Sequence, residues 1–289
     1  MSRIVYVNGA FLPEEVAKIS VFDRGFIFAD GIYEVSAVLD SGLVDNDAHL
    51  ARLERSLKEI DLPMPCEKQE IIALQRELIS RNRLVEGSVY LQVTRGAADR
   101  DFAFPPDAKP SLVMFTQARH IVDDPKADSG IKLLSVPDIR WERRDIKSVA
   151  LLAQVLAKQA AAAAGCQEAI MHEDGVVTEG GSSTVFIVTE AGRIVTRPNS
   201  RAILPGITRQ TVSRLAREQG LPLAERLFTL EEVFAAQECF ITSATGFVKP
   251  VIEVDGRRVG GGQPGPMVRR LRDLYVEAAR ADAARTRAG

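Results

Sequence analysis

The stretch "WERRDIKSVALLAQVLAKQAAAAAG", residues 141–165, decides how this chain is read. Its second half is rich in alanine and leucine, which favour helix, and it predicts a helix over 148–164. Its first half sets Glu142, Arg143, Arg144 and Asp145 beside Lys147, just ahead of the apolar run. Taken alone, Lys147 is an ordinary solvated lysine at the mouth of a helix. An ε-amine in such a place becomes a nucleophile only when it is desolvated or set near another cation.

The rest of the chain bounds the choice. Its 289 residues suit one large domain or two medium ones. Hydrophobic residues make up 46% and charged residues 26%, the balance of a soluble globular protein. Thirty-seven Lys and Arg against 39 Asp and Glu leave a formal net charge of -2, which favours neither nucleic acid nor an anionic membrane surface as partner. The opening "MSRIVYVNGAFLPEE" has no basic segment followed by an apolar one, so no secretory leader is expected, and no apolar run is long enough to span a bilayer. Cys66, Cys166 and Cys239 are odd in number and far apart, as in a reduced, cytoplasmic protein. His49, His120 and His172 lack metal-ligand spacing, so neither a metal site nor a His-based hydrolase is expected.

Along the chain, "IVYVNGAFLP" predicts a hairpin about Asn-Gly, and "IYEVSAVLDSGLVD" a second about Ser-Gly. Leu50, Leu53, Leu57 and Ile60 share one helical face that Pro63 ends; "EKQEIIALQRELISRNRL" is a second amphipathic helix. "GSVYLQVTRG" and "SLVMFTQ" predict strands on either side of the loop "AADRDFAFPPDAKP". These pieces define a smaller N-terminal α/β domain over 1–120. The polar, turn-rich "HIVDDPKADSG" predicts a linker over 121–130. A larger domain follows over 131–289, with strands near 131–136, 168–172, 184–189, 193–196 and 239–243. Its helices are expected near 148–164, 207–219, 229–236 and 266–283, with Thr229 and Glu232 forming a capping box. Hairpins mixed with helices argue for two α/β domains (α+β mixed) rather than a doubly wound sheet.

Three further segments hold polar groups suited to chemistry. "VVTEGGSSTVFIV" (176–188) is either a plain turn between strands or a turn whose backbone and hydroxyl donors hold Glu179. "LPGITRQTVSRLA" (204–216) opens a helix at Gly206 with Thr208 in the first turn, where free N–H groups and the helix dipole suit a phosphate, although many helices begin this way. "CFITSATGFVKP" (239–250) ends a strand in Ser-Ala-Thr-Gly, either a simple turn or a further set of anion donors. The glycine-rich "GRRVGGGQPGP" lacks the Lys-Ser/Thr ending of a nucleotide loop and predicts a plain connection to the last helix.

The order of these pieces is more specific than any one of them. "DRGFIFADGIYEV" (23–35), "HLARL" (49–53), "VYLQVTRG" (89–96), "DIRWERRDIKSVALLAQVLAKQAA" (138–161), "EAI" (168–170), "VTEGGSSTVF" (177–186), "LPGITR" (204–209) and "FITSAT" (240–245) run in one order over nearly the whole chain. In this order they resemble the class IV aminotransferases, pyridoxal 5'-phosphate enzymes of fold type IV, and within them the D-amino-acid branch. The resemblance implies two α/β domains with the cofactor between them. It implies transfer of an amino group between a D-amino acid of the D-alanine type and a 2-oxo acid such as 2-oxoglutarate, by way of pyridoxamine phosphate.

It also implies roles for individual residues. Lys147 would attach to the cofactor aldehyde and later carry the substrate's α-proton. Glu179 would pair with the pyridine nitrogen, and an opposite charge there favours the protonated ring, which is an electron sink. Arg52 would bind the phosphate together with the amides of Ile207 and Thr208, the Thr208 hydroxyl and Ser243, in the charge-assisted geometry that suits a dianion. Leu204 and Ala244 belong to the same cofactor site. The family often has threonine where Ala244 stands; a backbone amide survives that change and a hydroxyl does not. Tyr33 and Arg100 match the residues that trap the substrate carboxylate, the loop bearing Arg100 reaching in from the second subunit of a homodimer. Phe102 stands where the branch has histidine, which removes a donor and adds an apolar ring. Branched-chain aminotransferase, (R)-selective amine transaminase and aminodeoxychorismate lyase are alternatives within the family. A non-catalytic relative would be expected to lack the lysine or the glutamate, and both are present.

Overall fold

β-Branched and aromatic residues at alternating positions put much of the N-terminal region into one sheet. The computed structural model describes residues 2–107 and 109–288. It divides the chain into two units, the first of Met1–His120, Ile146–Ala150 and Ala279–Gly289, the second of Ile121–Asp145 and Leu151–Ala278.

The first unit contains β1 (Ile4–Val7), β2 (Ala10–Pro13), α1 (Arg24–Phe28), β3 (Gly31–Leu39), β4 (Gly42–Leu43), α2 (Asn46–Lys58), α3 (Lys68–Arg81), β5 (Gly87–Thr94) and β6 (Ser111–Ala118). Among the described residues the strands form a six-stranded sheet in the order β2-β1-β6-β5-β3-β4, antiparallel throughout. The β1–β2 turn places Asn8 at φ 46° and Gly9 at φ 97°, the left-handed conformations that a tight hairpin demands. Leu50, Leu53 and Leu57 on α2 and Ile71 and Leu78 on α3 are buried with Ile32, Val89, Leu91 and Val93 of the sheet.

A polar layer is buried where α2 packs on β3. Arg52 Nε and Nη2 donate to Glu34 Oε1 and Oε2 at 2.7 and 2.8 Å, and His49 Nδ1 donates to Glu34 Oε2 at 2.7 Å. Ser36 donates to Asn46, which in turn donates to Gln75 of α3. His49 and Arg52 stand three residues apart, so one face of α2 presents both to the strand.

The second unit contains α4 (Pro125–Ser129), β7 (Ile131–Pro137), α5 (Leu152–Ala163), β8 (Glu168–Glu173), β9 (Val176–Gly180), β10 (Thr184–Val188), β11 (Ile194–Thr196), α6 (Ile207–Glu218), β12 (Leu223–Glu225), α7 (Leu230–Phe234), β13 (Glu238–Ser243), β14 (Phe247–Val254) and β15 (Arg257–Arg258). The last helix, α8 (Pro266–Ala288), belongs to this unit as far as Ala278. The described strands form a mixed sheet in the order β12-β11-β10-β13-β14-β7-β8-β9, with β15 paired to β14. Pairs β11–β12, β14–β7 and β7–β8 are parallel. Ile131, Leu133, Val185, Ile187, Phe228, Cys239 and Ile241 fill the core on one side. The capping box at Thr229 and Glu232 is present.

Several expectations change. The segment 121–130 belongs to the second unit and contains α4, capped by Asp124, so it is not an open linker. Residues 146–150 and 279–289 group with the first unit, not with a continuous 131–289 domain. The helix expected from 148 begins at Leu152, because residues 147–149 are committed to β3: Tyr33 N donates to Lys147 O and Val149 N to Gly31 O, at 3.1 and 3.0 Å. Strand β14 is masked in the sequence by Pro250, since proline is rare in a central strand. It is tolerated because β7 joins β14 only from Val251 onward.

Arg52 and His49 hold the Glu34 carboxyl well below its usual range against the opposing effect of burial. A carboxyl depressed in this way stabilises the fold fully above its unfolded pKa, near 4.3, and that contribution fades as pH falls below it. Glu34→Gln should therefore lower stability by about 3–5 kcal/mol at pH 7, by stranding a buried arginine. The difference in melting temperature from wild type should narrow towards pH 3; a difference that stayed constant with pH would contradict the assignment.

Candidate active site

Of the residues singled out from sequence, Tyr33, Arg52, Arg100, Phe102 and Lys147 lie in the first unit. Glu179, Leu204, Ile207, Thr208, Ser243 and Ala244 lie in the second.

In the first unit Lys147 is not at a helix mouth. It sits on an extended segment that adds to the edge of β3, with a bridge between Ile32 and Ser148. On its β5 side Gly31 is tightly packed, since a Cβ there would come within 2.7 Å of the Val93 carbonyl. Lys147 N also makes a long hydrogen bond, 3.4 Å, to Ser56 Oγ, one turn beyond Arg52 on α2. The Lys147 amine lies over the Tyr33 ring, 4.0 Å from its centroid. Tyr33 stacks on Tyr90 at 5.7 Å, and Tyr90 on Phe115 at 4.6 Å, making an aromatic row across β3, β5 and β6. Burial, then the neighbouring Tyr33, pushes the Tyr90 phenol well up, so it stays a neutral donor to Gln92 Oε1. The half-buried amine thus rests on a rigid aromatic wall.

Arg100 is exposed on the loop after β5, with its guanidinium 5.3 Å from the Phe28 ring and 5.4 Å from the Phe102 ring. Phe102 therefore caps the arginine instead of supplying the missing histidine's donor. Sequence reasoning missed what anchors this loop. Buried Arg24 donates to the carbonyls of Asp101, Phe102 and Ala103, and Asp30 pairs with both Arg24 and Arg95. The signal lay in "DRGFIFADG" and "TRG", where charges are interleaved with apolar residues at no helical period.

In the second unit Glu179 is on β9, not in a turn, and is 4% exposed. Its carboxylate accepts from Arg140 Nη1 and from the Leu204 amide, the latter at 3.1 and 3.3 Å to its two oxygens. The hydroxyls of the following turn do not hold it. Ser182 donates to Glu168, and Ser183 Oγ is buried without a hydrogen-bond partner. Arg140 and the Asp138 that grips it were not singled out from sequence, though both stand in "DIRWERRDIK". Burial pushes the Glu179 carboxyl up, and the Arg140 charge and hydrogen bond, with the Leu204 amide, pull against it.

Helix α6 opens with Gly206 at its N-cap, which has no side chain to satisfy the first-turn amides. Ile207 and Thr208 in that turn are buried, and α6 packs against β13, where Thr242 Oγ1 is buried without a partner. Ser243 ends β13, and Ala244 begins the loop to β14. This donor set fits a phosphate, and the buried Glu179 fits a protonated ring nitrogen.

The sequence pattern of the family described as amino-transferase class IV matches residues 31–254. The chain is 40% identical to a D-alanine aminotransferase of Staphylococcus haemolyticus over 94% of its own length and 98% of that protein's. It is 36% identical to a D-alanine aminotransferase of Bacillus licheniformis, over 98% and 99% of the two chains. Its fold matches the branched-chain aminotransferase of the thermophilic archaeon Thermoproteus uzoniensis, solved with norvaline, at a TM-score of 0.87 and 26% identity, covering 98% and 96% of the chains. Class IV aminotransferases use pyridoxal 5'-phosphate. This chain belongs to the class IV aminotransferase family and is an aminotransferase.

Proposed function

We propose that this aminotransferase exchanges the amino group of a D-amino acid of the D-alanine type with a 2-oxo acid such as 2-oxoglutarate, acting in the cytoplasm as a homodimer. The observation that carries the substrate class is the 40% identity to a D-alanine aminotransferase over nearly the full length of both chains. A branched-chain reading has one observation in its favour, the TM-score of 0.87 to a branched-chain enzyme, but that rests on 26% identity. Three free thiols suit a reducing compartment.

Bound pyridoxal 5'-phosphate supplies an aldehyde for the substrate amine and an electron-withdrawing ring that accepts the charge left when the Cα–H bond breaks. The chain's own residues do the rest. Lys147 would anchor the aldehyde, and its Nζ would be the base that carries the substrate's α-proton. The Tyr33 ring under Nζ and the backbone pairing of residues 147–149 limit the directions that amine can reach. Glu179 would accept a hydrogen bond from the ring N–H. The amides of Ile207 and Thr208, the Thr208 hydroxyl, Ser243 and the Ala244 amide would hold the phosphate, and Leu204 orients Glu179 through its amide. Arg52 shares its charge with Glu34, so its part in phosphate binding is mainly directional hydrogen bonding.

Arg100 recognises the substrate carboxylate. Its guanidinium lies beside the Phe28 and Phe102 rings, which contact each other, so one side of it meets apolar surface and the rest remains for that contact. The loop carries no histidine, so a carboxylate meets one fork and an apolar ring. In the dimer this loop completes the site of the other subunit.

Borohydride reduction of the holoenzyme should fix the cofactor on Lys147, read by peptide mapping, and Lys147→Ala should lower the transamination rate by at least roughly 10²–10⁴-fold. Wild-type turnover in Lys147→Ala would sink the assignment. In spectral half-reactions, D-alanine should convert the cofactor faster than L-leucine or (R)-1-phenylethylamine; fast conversion by L-leucine alone would replace this reading with the branched-chain one. Sedimentation of the holoenzyme should give a dimer, and a fully active monomer would contradict the shared Arg100 loop.

A further inference from the structure

Glu179 is one end of a buried charge chain that the transfer reaction itself does not call for. Arg140 spreads its planar fork over two carboxylates. Its Nε and Nη2 donate to Asp138 Oδ1 and Oδ2 at 2.9 and 2.7 Å, and its Nη1 donates to Glu179 Oε1. The Asp138 side chain is 0% exposed and Arg140 6%. Thr178 Oγ1 donates to Asp138 Oδ2 at 2.6 Å, and Arg144, itself paired with Glu173, lies 3.3 Å from the same oxygen. The Arg197 charge is also felt at Glu179. The charged groups around Glu179 are thus Asp138 and Arg140 after β7, Arg144 beyond them, Glu173 on β8 and Arg197 after β11.

We propose that Arg140, clamped by Asp138, positions Glu179 and keeps it ionised, so that the site selects a ligand ring carrying a basic nitrogen. The inference rests on the reading that Glu179 faces the ring nitrogen of the cofactor. A carboxylate this dry tends to take a proton. A protonated Glu179 would offer a donor where an acceptor is needed, and the ring would lose its partner. Arg140 opposes this with a direct charge-assisted hydrogen bond. An unbalanced Arg140 would in turn compete with a cationic ring for the same carboxylate. Asp138 cancels that competition by taking two of the guanidinium's donors and its charge. Glu179 then presents nearly a full negative charge on its remaining lone pairs. A lysine at 140 has no planar fork to span both acids in this way. Arg140 touches no reacting atom in this scheme; it is a positioning residue.

The test compares binding of two probes to cofactor-free protein: pyridoxal 5'-phosphate and its 1-deaza analogue, in which the ring nitrogen is replaced by C–H. Both carry the aldehyde and the phosphate. Wild type should prefer the natural ring by roughly 10- to 100-fold, the scale of one charge-assisted hydrogen bond. In Arg140→Gln this preference should collapse to less than about 3-fold, chiefly through weaker binding of pyridoxal 5'-phosphate. A purely structural role for Arg140 would weaken both probes alike and leave the ratio intact, and that result overturns the proposal. If Arg140→Gln does not fold, Asp138→Asn carries the same test, since an uncompensated Arg140 should also reduce the ratio. An unchanged ratio in that folded variant is equally fatal. Failure of the wild-type protein to retain pyridoxal 5'-phosphate would instead refute the functional reading on which the proposal rests.

Discussion

Two backbone hydrogen bonds, Tyr33 N to Lys147 O and Val149 N to Gly31 O, are the constraint on which the first unit's chemistry depends. They convert a lysine between a charged cluster and a helix into a lysine on the edge of a sheet. A sheet edge holds direction better than a helix end, where the terminal turn frays. The same pairing sets Lys147 against Tyr33, and Tyr33 is held by Tyr90 and Phe115 behind it. The position of one amine is thus fixed by backbone pairing and a row of rings.

The functional side chains share a second feature. Arg52 and His49 share the Glu34 carboxylate, and Arg140 bridges Glu179 and Asp138. The loop of Arg100 is held through Arg24, Asp30 and Arg95. Burying these charges costs desolvation energy that the ion pairs at best recover, so their presence argues for placement rather than stability. The arginines suit this because one guanidinium serves two acceptors in one plane, as Arg140 does for Asp138 and Glu179.

The Phe102 substitution gains a physical meaning from the same geometry. An imidazole at that position is a donor; a phenyl ring is a face. Together with Phe28 it forms an apolar surface beside Arg100, and Arg24 ties the adjoining carbonyls down. A donor is thus replaced by an apolar contact beside the arginine.

Much of this was legible in the chain itself, where the information is local. The Asn-Gly hairpin, the leucine stripe of α2 and the Thr229–Glu232 cap follow from turn chemistry, helical period and side-chain capping. The ordered blocks from "DRGFIFADGIYEV" to "FITSAT" marked the family. What only the tertiary structure decided was non-local. The start of α5 moved from 148 to Leu152 because β3 claims the preceding backbone, and β14 persists through Pro250 because its other neighbour pairs only beyond it. Arg140, Asp138, Glu34 and Arg24 gain their roles from partners far along the chain. Propensity and period act over a few residues, whereas a buried charge is assigned its task by whichever opposite charge the fold brings to it.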